Sequence, residues 1–570
     1  MVAIIAVLVA TALAFLPLLN NAFVNWDDPF TLQNNPHLGA PGIAAWAFTT
    51  REMGHYQPLA WLVWSQTKTL FGLDATAFHG LSLLGHLLNT ALIYLVCVQL
   101  KKGSAVAAIV AAFTFAVHPI RVEAVAWASA FPYVLSLTFL LAAFLAYLKA
   151  ATRQRFRFAW LGLSIGSYAL SQLTRASAIG FPLVLLAVDA YPLRRRALAE
   201  KLPFVIIALA AAVAESQARE LPSLQEVGLG ARLTMAAAAP LIYLARTLWP
   251  IRLSPLDPLP IEPRLAWLPL ALGAAGIAAV TLMAWRKRTT WPALVVCWVA
   301  YLLLLGPVMG LTPSGQQATA DRYMYVAGVP VSLFAGIAAA RAAKAIRFRI
   351  AFSAALVMVA AALALATWRQ TTWWKDSVTL WTRAAEIDPR NDIATYNLAS
   401  ALAEAGREPE AIARYEQTLR LVPDHEFAQH NLNLIRAAQA NKDVAAANAT
   451  AFTLMQTGRY REAKETLTAA LGRHPDSDEL AHNLARLLAT TPDPAVHNGA
   501  LALRLALTVR DRTGGRDPRV LDTLAAAYAA AGQLALARET AEQAITLARQ
   551  LGDLEMARDI AANAKRYITR

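Results

Sequence analysis

Long uncharged apolar stretches recur along the chain up to residue 367 and then stop. A membrane-crossing helix needs ~20 mostly apolar residues. The stretches that fit, some of them shorter, are 2–20, 80–100, 104–117, 132–148, 158–171, 177–191, 201–214, 266–284, 291–309, 323–340 and 350–367, eleven predicted crossings. Beyond residue 367 apolar positions alternate with charged ones at helical spacing, the pattern of helices that bury one stripe. An all-α protein in two regions is therefore expected. A multi-span membrane module would occupy 1–367 and a water-exposed helical domain 368–570.

Charge orients the spans, because short cytoplasmic loops collect Lys and Arg. Five basic loops satisfy this: Lys101 with Lys102; Lys149, Arg153, Arg155 and Arg157; Arg194, Arg195, Arg196 and Lys201; Arg286, Lys287 and Arg288; Arg341, Lys344, Arg347 and Arg349. Placing all five inside puts the loops 21–79, 118–131, 172–176, 215–265 and 310–322 outside, together with the C-terminal region. The segment Thr234–Pro250 is apolar but carries Arg246, and is read as a re-entrant or interfacial amphipathic helix rather than a crossing. The first run, Val2–Leu19, has no basic stretch before it and no small-residue cleavage site after it, so it is read as a retained span.

The C-terminal pattern repeats. Pro389 and Pro423 lie 34 residues apart, as do Asn397-Leu398 and Asn431-Leu432, the period of a tetratricopeptide repeat. Copies are predicted over 392–425, 444–477 and 518–550, with Gly406, Gly458 and Gly532 at the turns between paired helices. Residues 478–517 read as an irregular copy with an insertion around Pro492–Pro494. Each helix pair cannot bury its apolar face alone, so neighbours stack into a solenoid with a concave binding face.

Net charge is +14, but the basic residues cluster at span ends, which argues against nucleic acid as a partner. The two cysteines, Cys97 and Cys297, lie inside apolar runs and support neither a disulfide framework nor a metal site. No phosphate loop or dinucleotide fingerprint occurs.

Polar residues gather instead in the outer loops. The first holds Asp27, Asp28, His55 and Tyr56; the second His118, Arg121 and Glu123; the third Arg175; the last Asp321, Arg322 and Tyr323. Ionisable groups at a membrane are costly to desolvate, so such a set marks a candidate site. A carboxylate can deprotonate an acceptor hydroxyl, and arginines can hold a departing phosphate. Asp27 or Asp28 is the expected base, with Arg121, Arg175 and Arg322 around the phosphate. His118, Glu123, His55, Tyr56, Asp321 and Tyr323 would support them. Paired carboxylates can also bind a hard divalent cation, but two acids are too few to infer one.

Several of these strings resemble a known family. Trp26-Asp27-Asp28 with Asn34-Asn35-Pro36, Tyr56-Gln-Pro-Leu59, His79 through His86-Leu-Leu-Asn89, Phe115-Ala-Val-His-Pro-Ile-Arg-Val-Glu123 and Asp321-Arg-Tyr-Met-Tyr325 look like the transmembrane and tetratricopeptide-repeat O-mannosyltransferases and their bacterial relatives, of the GT-C class. The resemblance covers nearly the whole chain. It implies a GT-C membrane module and an acidic pair in the first outer loop, matched here by Asp27 and Asp28. It also implies inverting transfer of mannose or another hexose from a polyprenyl-phosphate donor to a protein Ser/Thr hydroxyl. A prokaryotic version would sit in the bacterial inner membrane with its repeats in the periplasm, meeting membrane lipid, the lipid-linked donor and a protein acceptor or partner. The chain departs from the family at Arg121, where a second His is usual, and at Ala128–Pro132, which lacks the usual Gly-Arg-Ala-Asp. Two other readings stand beside this one: a non-catalytic, membrane-anchored assembly factor for envelope polysaccharide or secretion machinery, and a lipid-linked oligosaccharide ligase or polymerase.

Overall fold

A computed structural model describes residues 2–100, 104–153, 155–219, 227–259, 267–312, 315–345 and 349–568. Lys101, Lys102 and Arg347 of the predicted basic loops lie outside these residues. The chain is α-helical, with a single two-stranded antiparallel pairing of Asp257–Pro258 with Gln317–Thr319 among the described residues. It divides into two compact units, Met1–Pro423 and Asp424–Arg570.

In the first unit the predicted apolar stretches are helices, but fewer of them than eleven have the makings of a full crossing. Four are long and apolar enough: Ala75–Leu100, Ala128–Thr152, Trp267–Arg286 and Ile350–Thr372. Two further candidates are bent pairs, Ala105–Ala116 with Pro119–Ala126 at 57° and Asp321–Ala327 with Val329–Lys344 at 59°. That makes four to six. Val2–Ala14, Phe181–Leu193 and Pro292–Val308 are shorter apolar helices. At 1.5 Å per residue, a helix of 13 residues such as Val2–Ala14 rises only ~20 Å, short of the ~30 Å hydrocarbon core. Arg157–Thr174 is long enough but buries Ser164, Ser167, Ser171 and Gln172 on one face, which lowers its hydropathy. The segment expected to be re-entrant or interfacial is one unbroken helix, Leu229–Leu248, with Pro240 inside it. It packs closely on Trp267–Arg286, where Gly273 faces the Ala237 backbone.

The bends have identifiable causes, one local and one from a distant segment. Pro119 cannot continue the preceding helix, and the His118 ring caps the new turn by accepting from the Ile120 amide. In the second pair, Gly328 leaves the space that the Arg121 guanidinium fills. Polar side chains then tie helices together. His86 bonds the Tyr325 hydroxyl (2.7 Å) and the Ala116 carbonyl (2.9 Å), and Asn89 donates to the Val134 carbonyl (2.9 Å). These two groups act as interhelical connectors, each with its polar atoms engaged.

The first unit continues past the last apolar helix through Ser377–Ile387, Asp392–Glu404 and Glu408–Leu421. The first loop is fastened to this stretch. Ala22 N–H donates to Lys375 O (2.8 Å), Asn25 N–H to Ser377 Oγ (2.9 Å) and Trp381 Nε1 to Asn25 Oδ1 (2.7 Å).

The second unit is a run of helical hairpins. Tyr460–Arg473, Asp478–Thr490, Gly499–Thr513, Pro518–Ala530, Leu534–Gln550 and Leu554–Ile568 follow the 31-residue helix Glu426–Gln456. The predicted copies over 444–477 and 518–550 are present, and 478–517 forms a hairpin around its insertion. Gly458 and Gly532 take left-handed φ values of 74° and 79° at their turns, where a side chain would be strained. The 34-residue register between Asn397 and Asn431 does not persist as a separate hairpin, because Glu426–Gln456 runs through without a break. Alanines and leucines such as Ala463, Leu467, Leu484 and Leu488 fill the seams.

Candidate active site at the first polar loop

The two neighbouring acids have different surroundings. Asp28 is fully buried. Its Oδ2 accepts from the Val24 amide (3.0 Å), and its Oδ1 accepts from both the amide (3.0 Å) and the hydroxyl (2.5 Å) of Ser129. Burial raises its pKa to about 6, against the hydrogen bonds from Ser129 and Val24, which lower it. With both oxygens engaged, Asp28 is a clasp between the first loop and the turn Ala128–Ala130.

Asp27 is half-buried, and no hydrogen-bond donor reaches its carboxylate among the described residues. Burial raises its pKa, and the positive charges of Arg322 and Arg175 oppose that rise. The loop delivers it there through Trp26, which stacks on Trp127 with ring centroids 4.5 Å apart. The Arg322 guanidinium lies 5.7 Å from the Trp26 ring and 5.1 Å from those of Trp127 and Tyr323.

The two arginines differ in what holds them. Arg322 is paired with Glu123 through Nη1, and its backbone amide donates to the other carboxylate oxygen (3.1 Å). Arg175 follows the last residue of Arg157–Thr174. It donates to Gln57 Oε1 (3.2 Å) and to His55 Nε2 (2.8 Å) and lies 4.2 Å from the Tyr133 ring centroid. An accepting Nε2 requires a neutral imidazole with its proton on Nδ1, and Nδ1 meets Glu215 Oε1 at 2.8 Å. Burial and the Arg175 charge push the His55 pKa down to about 4, in keeping with that tautomer. Glu215 is in turn held by Arg219 (2.9 Å). Among the described residues Arg175 has no carboxylate within ion-pair distance. Its ligands are neutral, so its charge remains available to an anion.

The structure therefore gathers Asp27, Arg175, Arg322, Glu123, His55 and Tyr323, with Tyr133 and Tyr323 6.3 Å apart. Tyr56 stands beside them, its amide donating to Glu215 (3.4 Å) and its hydroxyl to Phe48 O (3.3 Å). Other predicted residues are placed differently. Arg121 is buried against Phe115 (4.8 Å), with Nη1 on the Met324 carbonyl, and its described partners do not include Asp27. His118 spends both ring nitrogens on backbone, at Ile120 and Thr247. Asp321 pairs not with its neighbour Arg322 but with Arg246 (3.0 Å), which also holds Asp257 (2.5 Å). Arg246 is thus an internal cation bridging two acids, which accounts for its place in a mostly apolar helix.

Sequence reasoning passed over Ser129, Tyr133 and Glu215. Glu215 had a usable signal, since it is an acid at the outer end of a predicted span. Ser129 and Tyr133 had none, because serine and tyrosine at such positions are commonplace. Among the described residues no three His, Cys, Asp or Glu side chains gather as for a metal ion, and the cysteines form no disulfide.

No protein-family model matches the chain, and no curated protein matches its sequence. Among solved structures it is similar to the TPR domain of P58(IPK), at 13% identity over 83% of this chain and 96% of that one, with a TM-score of 0.22. It is also similar to ArnT from Cupriavidus metallidurans bound to undecaprenyl phosphate, at 14% identity over 78% and 79% with a TM-score of 0.35. Yeast Tom70 is a third, at 13% identity over 77% and 91% with a TM-score of 0.18.

Proposed function

We propose that the chain is a membrane glycosyltransferase of the GT-C class. It moves a sugar, mannose or another hexose, from a polyprenyl-phosphate donor to a hydroxyl, best matched by a protein Ser/Thr, on the periplasmic side of a bacterial inner membrane. One observation carries this reading: a carboxylate without hydrogen-bond donors, Asp27, shares its surroundings with an arginine that has no carboxylate partner, Arg175.

Asp27 takes the proton from the acceptor hydroxyl. The freed oxygen attacks the anomeric carbon in line, the bond from that carbon to the phosphate oxygen breaks, and its electron pair leaves with the lipid phosphate. Configuration at the carbon inverts. Arg175 stabilises the charge that grows on the leaving oxygen. Neutral His55 and Gln57 hold its guanidinium without neutralising it. Arg322, already compensated by Glu123, supports the ionised form of Asp27 and carries the tryptophan wall. Asp28 holds the loop, and Arg121 and His118 position the bent helix. The repeats present a protein acceptor or partner.

The test is mass spectrometry of envelope proteins from cells carrying the wild-type chain, Asp27→Asn or Arg175→Gln. Loss of a hexose from specific Ser/Thr peptides in both variants, with normal membrane levels of each, supports the assignment. Unchanged peptides with lost envelope assembly point to the scaffold reading instead, and loss of a long glycan points to the ligase reading.

A further inference from the structure

The sugar-transfer mechanism leaves one buried carboxylate beside the site without a task. Glu215 stands in the last turn of the helix Leu202–Ala218. Its Oε1 accepts from Arg219 Nε (2.9 Å) on its own segment and from His55 Nδ1 (2.8 Å) in the first loop. Its Oε2 accepts from the Tyr56 amide (3.4 Å). An ionised carboxylate only accepts, so the ring nitrogen facing it carries the imidazole proton and Nε2 is left as a lone pair. Glu215 therefore fixes the tautomer of His55.

That lone pair faces Arg175. The backbone of the arginine is pinned independently: its amide donates to Ser171 O (3.0 Å), and its carbonyl accepts from Ser136 Oγ (3.2 Å) and the Ser177 amide (2.8 Å). What this leaves unset is the direction of the guanidinium. His55 Nε2 and Gln57 Oε1 take its two terminal nitrogens, and the Tyr133 ring lies against its face. A carboxylate placed directly on Arg175 would hold it as firmly but would cancel the charge that a departing phosphate needs. Placed one imidazole away, Glu215 polarises the ring and strengthens Nε2 as an acceptor, as a carboxylate behind a metal-bound histidine raises its basicity. The guanidinium keeps its charge. Without the carboxylate the ring can carry its proton on Nε2, where it would meet the N–H of Arg175 donor to donor.

We propose, on the reading of Arg175 as the partner of the phosphate, that Glu215 is a positioning residue for sugar transfer. It acts through His55 to aim Arg175 at the phosphate of the lipid-linked donor.

The test measures the affinity of the purified full-length chain in nanodiscs for undecaprenyl phosphate. Arg175→Gln and Glu215→Ala should each bind it about tenfold more weakly, the scale of losing a charge-assisted hydrogen bond. The double variant Arg175→Gln/Glu215→Ala should bind no more weakly than Arg175→Gln, because both changes break one chain of contacts. Glu215→Gln, whose amide oxygen still accepts from Nδ1, should recover most of the affinity, which a general loss of packing would not allow. Should Glu215→Ala fail to fold, Glu215→Asp takes its place, keeping the charge near Arg219 while drawing it back from the ring. Wild-type affinity in Arg175→Gln overturns the phosphate role of Arg175 and the positioning role of Glu215 together. Weakened binding in Arg175→Gln with wild-type affinity in Glu215→Ala overturns the role of Glu215 alone. So does a Glu215→Ala loss that persists undiminished in the Arg175→Gln background, or a Glu215→Gln variant as weak as Glu215→Ala.

Discussion

Asp27 and Asp28 are adjacent in sequence and opposite in circumstance, and the difference sets what each substitution should do. Asp27→Asn removes a proton acceptor from a carboxylate that no neighbour donates to, so transfer should vanish while thermal stability is retained. Asp28→Asn places an amide donor where the Val24 or Ser129 amide already donates. Leaving such a buried group unsatisfied costs about 1–3 kcal/mol, which should appear as a lower melting temperature and lower yield. The pH dependence has a definite sign. A carboxyl whose pKa is raised by folding stabilises the protein when protonated and loses that contribution as pH rises toward about 6. Buried neutral His55, with its depressed pKa, opposes this over the same range in both proteins, so the Asp28 contribution is read as the stability difference between wild type and Asp28→Asn, which should shift in favour of the wild type as pH falls from 7 to 5. The raised pKa of Asp27 predicts an acid limb of activity above the usual carboxylate range, measurable as transfer rate against pH. The acidic pair was legible in the sequence as a candidate site. Which acid is clasped and which is open was not, because the clasp, Ser129, lies 101 residues away.

At the scale of elements, the helices were readable because their apolar spacing is a local property. The number of full crossings was not, since it depends on where a helix bends and how deep it reaches. Pro119 announced one bend. The other, at Gly328, is explained by a guanidinium from a distant segment. Gly328→Ala would force a Cβ into Arg121, and overpacking of this kind costs typically ~1–3 kcal/mol. Detergent melts should show that loss, and the double variant Gly328→Ala/Arg121→Ala should recover part of it. Glu123→Gln tests the second connection. It strands Arg322 as a buried, uncompensated charge, a change worth about 3–5 kcal/mol, so folded yield should fall well below that of Asp27→Asn. In the repeats, the turn glycines and the 17-residue spacing from Gly458 to Pro475 located the hairpins directly. The fused helix Glu426–Gln456 escaped prediction because nothing in its sequence contradicts either a turn or a continuous helix strongly enough.

At the scale of the whole chain, the first loop joins the two ends of the first unit. Trp26 stacks among Trp127, Trp374 and Trp381, and Asn25 bonds the Trp381 indole. The segment that carries the open carboxylate is thus held by residues some 350 positions later in the chain. Trp381→Ala should lower thermal stability by about 3–5 kcal/mol, as large aromatic truncations do, and reduce transfer in the same preparation. Intact transfer in a folded Trp381→Ala protein would show that the aromatic stack does not position Asp27.

The residue pattern alone determined the helical class, the apolar region followed by repeats, and the loops in which chemistry-bearing side chains collect. All of these follow from spacing and composition over a few tens of residues, where the physics of burial acts on near neighbours. Only the tertiary structure decided the pairings: Glu123 with Arg322, Asp321 with Arg246, His55 between Arg175 and Glu215, Arg121 sealed among helices. A charge in a low-dielectric setting takes whichever partner the fold brings within a few ångströms, and separation along the chain says almost nothing about that choice.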